Sequence, residues 1–200
     1  MVPTQTNRSP GRPREFDEER ALEAVMDAFW AKGYEATSLA DLCQCTGLHK
    51  GSIYQTFGSK HELYMRALEH YATAQFNEVA AVGFQHESPI ENLRAIARKA
   101  TEEAIRSGHG CMIVNSVVEL GPHDDDVRAL AERQRDMRER VMTDLIQKAQ
   151  DAGEINDAVE PRRRARQLMV TMAGVAATAK CLLEPDDAVG VLDDVMTSWQ

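Results

Sequence analysis

The sequence predicts an all-α chain, with an N-terminal three-helix helix-turn-helix unit ahead of a larger C-terminal helical bundle. Three observations predict it. Ala, Leu, Glu, Arg and Met dominate the composition, and strand-favouring runs are few. Apolar residues recur at i, i+3, i+4 and i+7. Ser, Asp, Gly and Pro fall where helices start and stop. Two hundred residues suffice for one or two domains with a sizeable core.

A first helix is expected from Phe16 to Gly33, with Leu22, Val25, Met26 and Phe29 as its apolar stripe. Asp17 can cap it, and Gly33 offers a left-handed stop beside Tyr34. Thr37 or Ser38 can cap a second, short helix whose inner face is Leu39, Leu42 and Cys43, with Asp41 as the capping-box partner of Ser38. Gly47 ends it at positive φ. A third helix runs from about Leu48 to Thr56 with Leu48, Ile53 and Phe57 inward. Ser59 caps a longer fourth helix carrying Leu63, Ala67, Leu68 and Tyr71. The polar stretch from Gly83 to Pro89 reads as a joint. Helices follow at about 90–106, 110–120, 124–152, 161–183 and 187–198. The expected domains are a basic arm at 1–15, a helix-turn-helix unit at 16–64 and a larger helical bundle at 65–200.

The formal charge of −9 argues against nonspecific nucleic-acid binding by the chain as a whole. Its distribution is uneven. Residues 1–60 hold 7 basic and 8 acidic side chains, while the rest hold 16 and 24. Residues 1–14 contain Arg8, Arg12 and Arg14 and no acid. They lack an apolar core, so no secretory signal is read there. The longest apolar stretch, Leu168 to Leu183, holds Lys180 and many small residues and is too short for a membrane span. The expected location is cytoplasmic, with no membrane partner. The four cysteines, Cys43, Cys45, Cys111 and Cys181, lack metal-ligand spacing and read as reduced thiols. The tract "HDDDVR" at 123–128 reads as an acid-rich helix start rather than a metal site. No metal site, cofactor or catalytic constellation is expected.

Two short helices joined at Gly47 fit the geometry by which a recognition helix enters the major groove. Gly51 and Ser52 allow close approach to base edges, and His49, Lys50 and Gln55 offer donors to bases or phosphates. Tyr54 can give its hydroxyl to a phosphate. Thr37 and Lys60 stand at helix N-termini, which favour an anion. Together with Ser38 these are the DNA-binding candidates. In "RSPGRPR", proline holds the chain extended, so Arg12 and Arg14 can lie along a minor groove.

The run "TSLADLCQCTGLHKGSIYQTFGSKHELY", after "ALEAVMDAFWAKGYEA", resembles the DNA-binding region of the tetracycline-repressor (TetR) family over about residues 16–64. The Gly-Tyr before the Thr-Ser cap, the G-x-x-K-G-x-x-Y-x-x-F core and the Ser-Lys opening of the fourth helix occur in order. The resemblance implies Thr37, Lys50, Tyr54 and Lys60 at phosphates and His49, Gly51, Ser52 and Gln55 at or near bases. His49, Cys45 and Thr46 depart from the residues usual at those places. It also implies a ligand-responsive regulator that binds a double-stranded DNA operator as a homodimer, a repressor released by a small-molecule inducer.

In the C-terminal part, "GHGCMIVNSVVEL" at 108–120 is the expected pocket wall, with Cys111, Met112, Asn115, Ser116 and Glu119 as ligand-binding candidates together with Met172. The expected dimer surface is Leu168, Met172, Val175, Ala176, Ala179 and Leu183 with Leu192, Val195, Met196 and Trp199. Two other readings use the same residues. Cys111, at a helix start near His109, can act as an electrophile or oxidant sensor. The fold can also serve an architectural protein that binds DNA without a small ligand. An enzyme carrying a DNA-binding module is opposed by the missing acid–base or nucleophile set.

Overall fold

The computed structural model describes residues 18–179 and 184–200. Among these are the helices α1 (Glu18–Lys32), α2 (Leu39–Thr46), α3 (Lys50–Phe57), α4 (Lys60–Val82), α5 (Pro89–Arg106), α6 (Met112–Glu119), α7 (Asp125–Asp151), α8 (Pro161–Thr178) and α9 (Pro185–Thr197), and no strand. Phe16 and Asp17 and the arm with Arg12 and Arg14 lie outside the described residues, as do Lys180, Cys181 and Leu183. α9 begins at Pro185, two residues ahead of expectation, because proline at the first helical position already has the right φ.

Local chemistry sets the short helices. Ser38 Oγ accepts from Asp41 N–H while the Asp41 carboxylate accepts from Ser38 N–H, a complete capping box. Asp41 is held well below the ordinary carboxylate range, first by Lys32 at 2.5 Å and then by Ser38. Gly47, at φ 69°, ends α2 by donating its N–H to Cys43 O. Thr46 Oγ1 donates to Leu42 O and accepts from Leu48 N–H, so this departure from the family pattern braces the turn. A second capping box, Ser59 with Glu62, opens α4. Ser38→Ala should cost about 1 kcal/mol, since α2 loses one side of its box. Thermal denaturation checks it, and an unchanged melting temperature would show that α2 is fixed by packing alone.

Two cores divide the molecule. The first joins Val25, Phe29, Leu42, Ile53, Phe57 and Leu68 to Met112 and Ile113 of α6 and to Val127 and Leu130 of α7. The second is built from α5, α7, α8 and α9, with Leu93, Ile146, Leu168 and Leu192 nearly sealed from solvent. The three-helix unit therefore shares its core with α6 and the start of α7.

A candidate nucleic-acid interface and a coupled cavity

α3 buries Ile53 and Phe57 and leaves His49, Lys50, Gly51, Ser52, Tyr54 and Gln55 exposed. No acidic residue occurs in it. His49 is its N-cap but makes no side-chain capping bond, in contrast to Ser38 and Ser59. The N–H groups of Lys50 and Gly51 are thus left to water or to a phosphate, while Ser52 N–H donates to His49 O at 2.9 Å. Tyr54 is 43% exposed, with Lys50 Nζ 5.7 Å from its ring centre. Lys60 Nζ sits 4.4 Å over the Tyr34 ring, which fixes it beside the start of α4.

Thr37 corrects the sequence reading. It is fully buried, and its hydroxyl donates to Gly33 O at 2.6 Å. A hydroxyl that closes the α1–α2 turn is not presented to a phosphate. Ser38 is exposed, but its hydroxyl is engaged with Asp41.

α6 joins this unit to the bundle. Glu119 accepts from the backbone N–H groups of Tyr34 at 3.0 Å and Glu35 at 2.8 Å. Gly33, at φ 84°, leaves room for that carboxylate, since an added Cβ would come within 2.8 Å of it. Ser116 Oγ lies 2.6 Å from the Tyr64 hydroxyl and donates to Met112 O, so Tyr64 is the donor in their pair. Burial pushes the Tyr64 hydroxyl up to about 12. Trp30 Nε1 donates to Gly110 O just before α6. Asp124 caps α7 through Asp126 and Val127 N–H and faces His61 Nε2 at 2.8 Å. Burial alone would raise its carboxyl, but these hydrogen bonds outweigh it and hold the group low. His61, Asp124 and Asp126 lie within 4.8 Å of one another, and capping and the ring contact account for the cluster.

Behind α6 lies a cavity of about 530 Å³. Its wall includes Phe76 and Val79 of α4, Val114 and Val117 of α6, Arg138 of α7 and Met172 of α8. Cys111 and Met172 lie on its wall. Met112, Asn115, Ser116 and Glu119 do not, which corrects the pocket assignment. Met112, Ser116 and Glu119 recur at i, i+4 and i+7 on the face toward α1–α4, whereas Ile113, Val114 and Val117 face the cavity. Asn115 instead donates to His109 O and closes the preceding turn. Helical periodicity within the same segment could have separated the two faces. Arg138, Gln75 and Gln134, also on the wall, carry no motif that marks them in the sequence.

Most of the stripe read as a dimer surface is the inward face of α8 and α9. Leu168, Val175, Ala176, Leu192, Met196 and Trp199 are buried within the single chain, and Met172, Ala179 and Val195 pack partly buried against its cores. These helices need their large apolar residues to close the core with α5 and α7. What they leave outside includes Gln167, Val170, Gly174 and Ala177 of α8 and Val191 and Asp194 of α9, beside the charged Arg162, Arg163 and Arg166 at the start of α8 and Asp186 and Asp187 at the start of α9. None of the described helices is long and apolar enough to cross a membrane.

A groove-sized helix held outward on a compact support, coupled to a helical bundle with a cavity, defines a helix-turn-helix regulator. Residues 21–67 match the model of bacterial regulatory proteins of the tetR family, and residues 89–193 match the tetracyclin repressor-like C-terminal domain. The chain is 30% identical over 176 residues to the HTH-type transcriptional repressor ComR of Escherichia coli, covering 86% of this chain and 84% of that one. It is 33% identical over 152 residues to the HTH-type regulator YezE of Bacillus subtilis, covering 73% and 76%. Among solved structures, a cysteine mutant of the TetR family regulator CifR, complexed with operator DNA, superposes with TM-score 0.83 at 25% identity, over 94% of this chain and 100% of that one. A regulatory protein from Rhodobacter sphaeroides gives TM-score 0.84 at 23% identity, over 93% of this chain and 100% of that one, a likeness of fold. The chain belongs to the TetR family. It is a DNA-binding transcriptional regulator and not an enzyme, and the comparisons do not favour the thiol-sensing or architectural readings.

Proposed function

We propose that the chain is a cytoplasmic repressor that holds a near-palindromic operator as a homodimer and releases it when a small molecule fills the cavity behind α6. The observation that carries this reading is the exposed, acid-free face of α3 with its uncapped N-terminus. Two copies of α3 about 34–36 Å apart meet successive major-groove faces. His49, Gly51, Ser52 and Gln55 read bases; Lys50, Tyr54 and Lys60 hold phosphates, and Arg12 and Arg14 add a minor-groove contact. The outward face of α8 and α9, with Val170 73% exposed and Val191 42% exposed, is the surface that supports the two-fold contact. Small residues there, Gly174 and Ala177, let helices approach closely.

Release follows from α6 having two faces. A ligand pressing on Val114 and Val117 shifts the same helix that grips Tyr34 and Glu35 through Glu119. The ligand moves the equilibrium only by its difference in affinity between the two conformers, and a coupling of about 1–3 kcal/mol changes operator affinity roughly 5- to 150-fold.

Selection of duplexes from a genomic fragment library, followed by fluorescence anisotropy against salt, tests the reading. One or a few paired sites support it, and no duplex retained at low ionic strength overturns it. On the selected site, Lys50→Ala and Lys60→Ala should each lower the slope of log K against log salt by roughly 0.9 for every phosphate the subunit no longer neutralises. Slopes unchanged in both variants would place the phosphates elsewhere.

A further inference from the structure

We infer that the cavity takes an apolar hydroxy acid, with its carboxylate on Arg138 and its hydroxyl on Gln134; this rests on the cavity being the effector site. Among the described residues, three arginines line it. Arg128 is paired with Asp125 and donates to Gly121 O, and Arg135 forms two bonds to Asp136 at 2.9 and 3.0 Å. Arg138 differs. It is half-buried, and its hydrogen-bond partner among the described residues is the neutral Gln75 Oε1, at 2.6 Å from Nη2. Gln75 in turn donates to the Tyr71 hydroxyl at 3.0 Å, so the amide is committed on both sides and cannot neutralise the guanidinium.

A cation withdrawn from water without a counter-ion is costly, and a guanidinium has five donors set for a planar, two-oxygen acceptor. A carboxylate meets both needs. Among the described residues the surroundings supply no such group. Phe76, Val79, Ile96, Val114, Met142 and Met172 make the wall apolar, and the one lining carboxylate, Glu132, lies on the exposed side of α7.

The second observation is independent. Gln134 lines the same cavity, and its Oε1 is buried with no hydrogen-bond partner. A buried acceptor without a donor calls for one from the ligand. Gln134 and Arg138 are four residues apart on α7, hence neighbours on one face, with Cβ atoms roughly 5–6 Å apart. That spacing matches a carboxylate and a hydroxyl separated by a few carbons, with the remaining apolar body directed toward Met142 and Met172.

The test is calorimetric titration of the full chain with 3-hydroxy-4-phenylbutyrate, 4-phenylbutyrate, 4-phenylbutanol and 4-phenylbutylamine. Both acids should bind at least about tenfold more tightly than the alcohol, the scale of a charge-assisted hydrogen bond. The amine should bind weakest, and the hydroxy acid should bind more tightly than the plain acid. Arg138→Gln should erase the preference for acids, Arg138→Lys should keep part of it, and Gln134→Leu should erase only the gain from the hydroxyl. Melting curves establish that each variant is folded. Binding of the alcohol or amine as tight as that of the acid, no binding by any of the four, or an unaltered acid preference in Arg138→Gln overturns the proposal. A hydroxy acid no tighter than the plain acid overturns its Gln134 half. Operator binding is measured alongside. Release by neutral ligands alone sinks the hydroxy-acid assignment and leaves the regulator standing. Acid binding with no effect on the operator does the reverse.

Discussion

Gly51→Leu is expected to leave the fold standing and to weaken operator binding at least tenfold. A Cβ built at Gly51 meets nothing within 4 Å of the chain, so the larger side chain points into open space. Leucine also has better helix propensity than glycine by up to about 1 kcal/mol, so the melting temperature should hold or rise slightly. On DNA the same space is the groove. Gly51 stands between Lys50 and Ser52, with Tyr54 and Gln55 about one turn further along the exposed side. A branched side chain at that point lifts the backbone from the base edges and pulls its neighbours away from theirs. A good hydrogen-bonded pairing with a base is worth about 1–3 kcal/mol, and every 1.4 kcal/mol is tenfold. In a homodimer the penalty falls on both half-sites. Differential scanning fluorimetry gives the stability and anisotropy on the selected operator gives the affinity. Unchanged affinity with a normal melting curve would turn the α3 face away from the bases.

The recognition unit is legible in the sequence because its signals are local. Ser38 with Asp41, Gly47, and Ser59 with Glu62 each act over a few residues, and they fix the helix ends almost independently of the rest. The inward pair Ile53 and Phe57 follows from helical spacing alone, whereas Leu48 lies ahead of the N-cap His49 and packs partly buried from outside α3. Thr37 is misread from sequence because exposure is tertiary. No sequence signal marks the α1–α2 turn that folds its hydroxyl back onto Gly33 O, four residues away. The same limit explains the dimer stripe. An apolar face states that something must cover it, and α5 and α7 of the same chain cover the face of α8 that holds Leu168. Arg138 and Gln75 are illegible for the opposite reason. Polar residues on long helices read as solvated until the packing of α4 against α7 brings the two together. Glu119 stands out as polar within an apolar segment, and the segment's 3.6-residue period holds the information that it faces α1 rather than the cavity.

Glu119→Ala should leave operator binding within about threefold of the parent while removing most of its response to a cavity ligand, a coupling of about 1–3 kcal/mol. The carboxylate lies at the C-terminal end of α6, where the helix dipole disfavours an anion. It is retained there by two backbone donors, Tyr34 N–H and Glu35 N–H, on the turn that leads into α2. Glu35 is exposed and Tyr34 half-buried, so water can replace the carboxylate at both N–H groups, and the recognition unit should stay folded through the Phe29, Leu42 and Ile53 core. What disappears is the rigid link. The Tyr64–Ser116 bond remains, but it acts on α4 near the middle of the shared core and not on the turn before α2. A push on Val114 and Val117 would then tilt α6 without dragging that turn. Anisotropy titrations of labelled operator, with and without saturating ligand, give the ratio directly. Tyr64→Phe, which breaks the other bond, should retain more of the response than Glu119→Ala. If Glu119→Ala releases operator as fully as the parent chain, coupling runs through the buried α4–α6 contact, and the two backbone hydrogen bonds are a brace without a part in signalling.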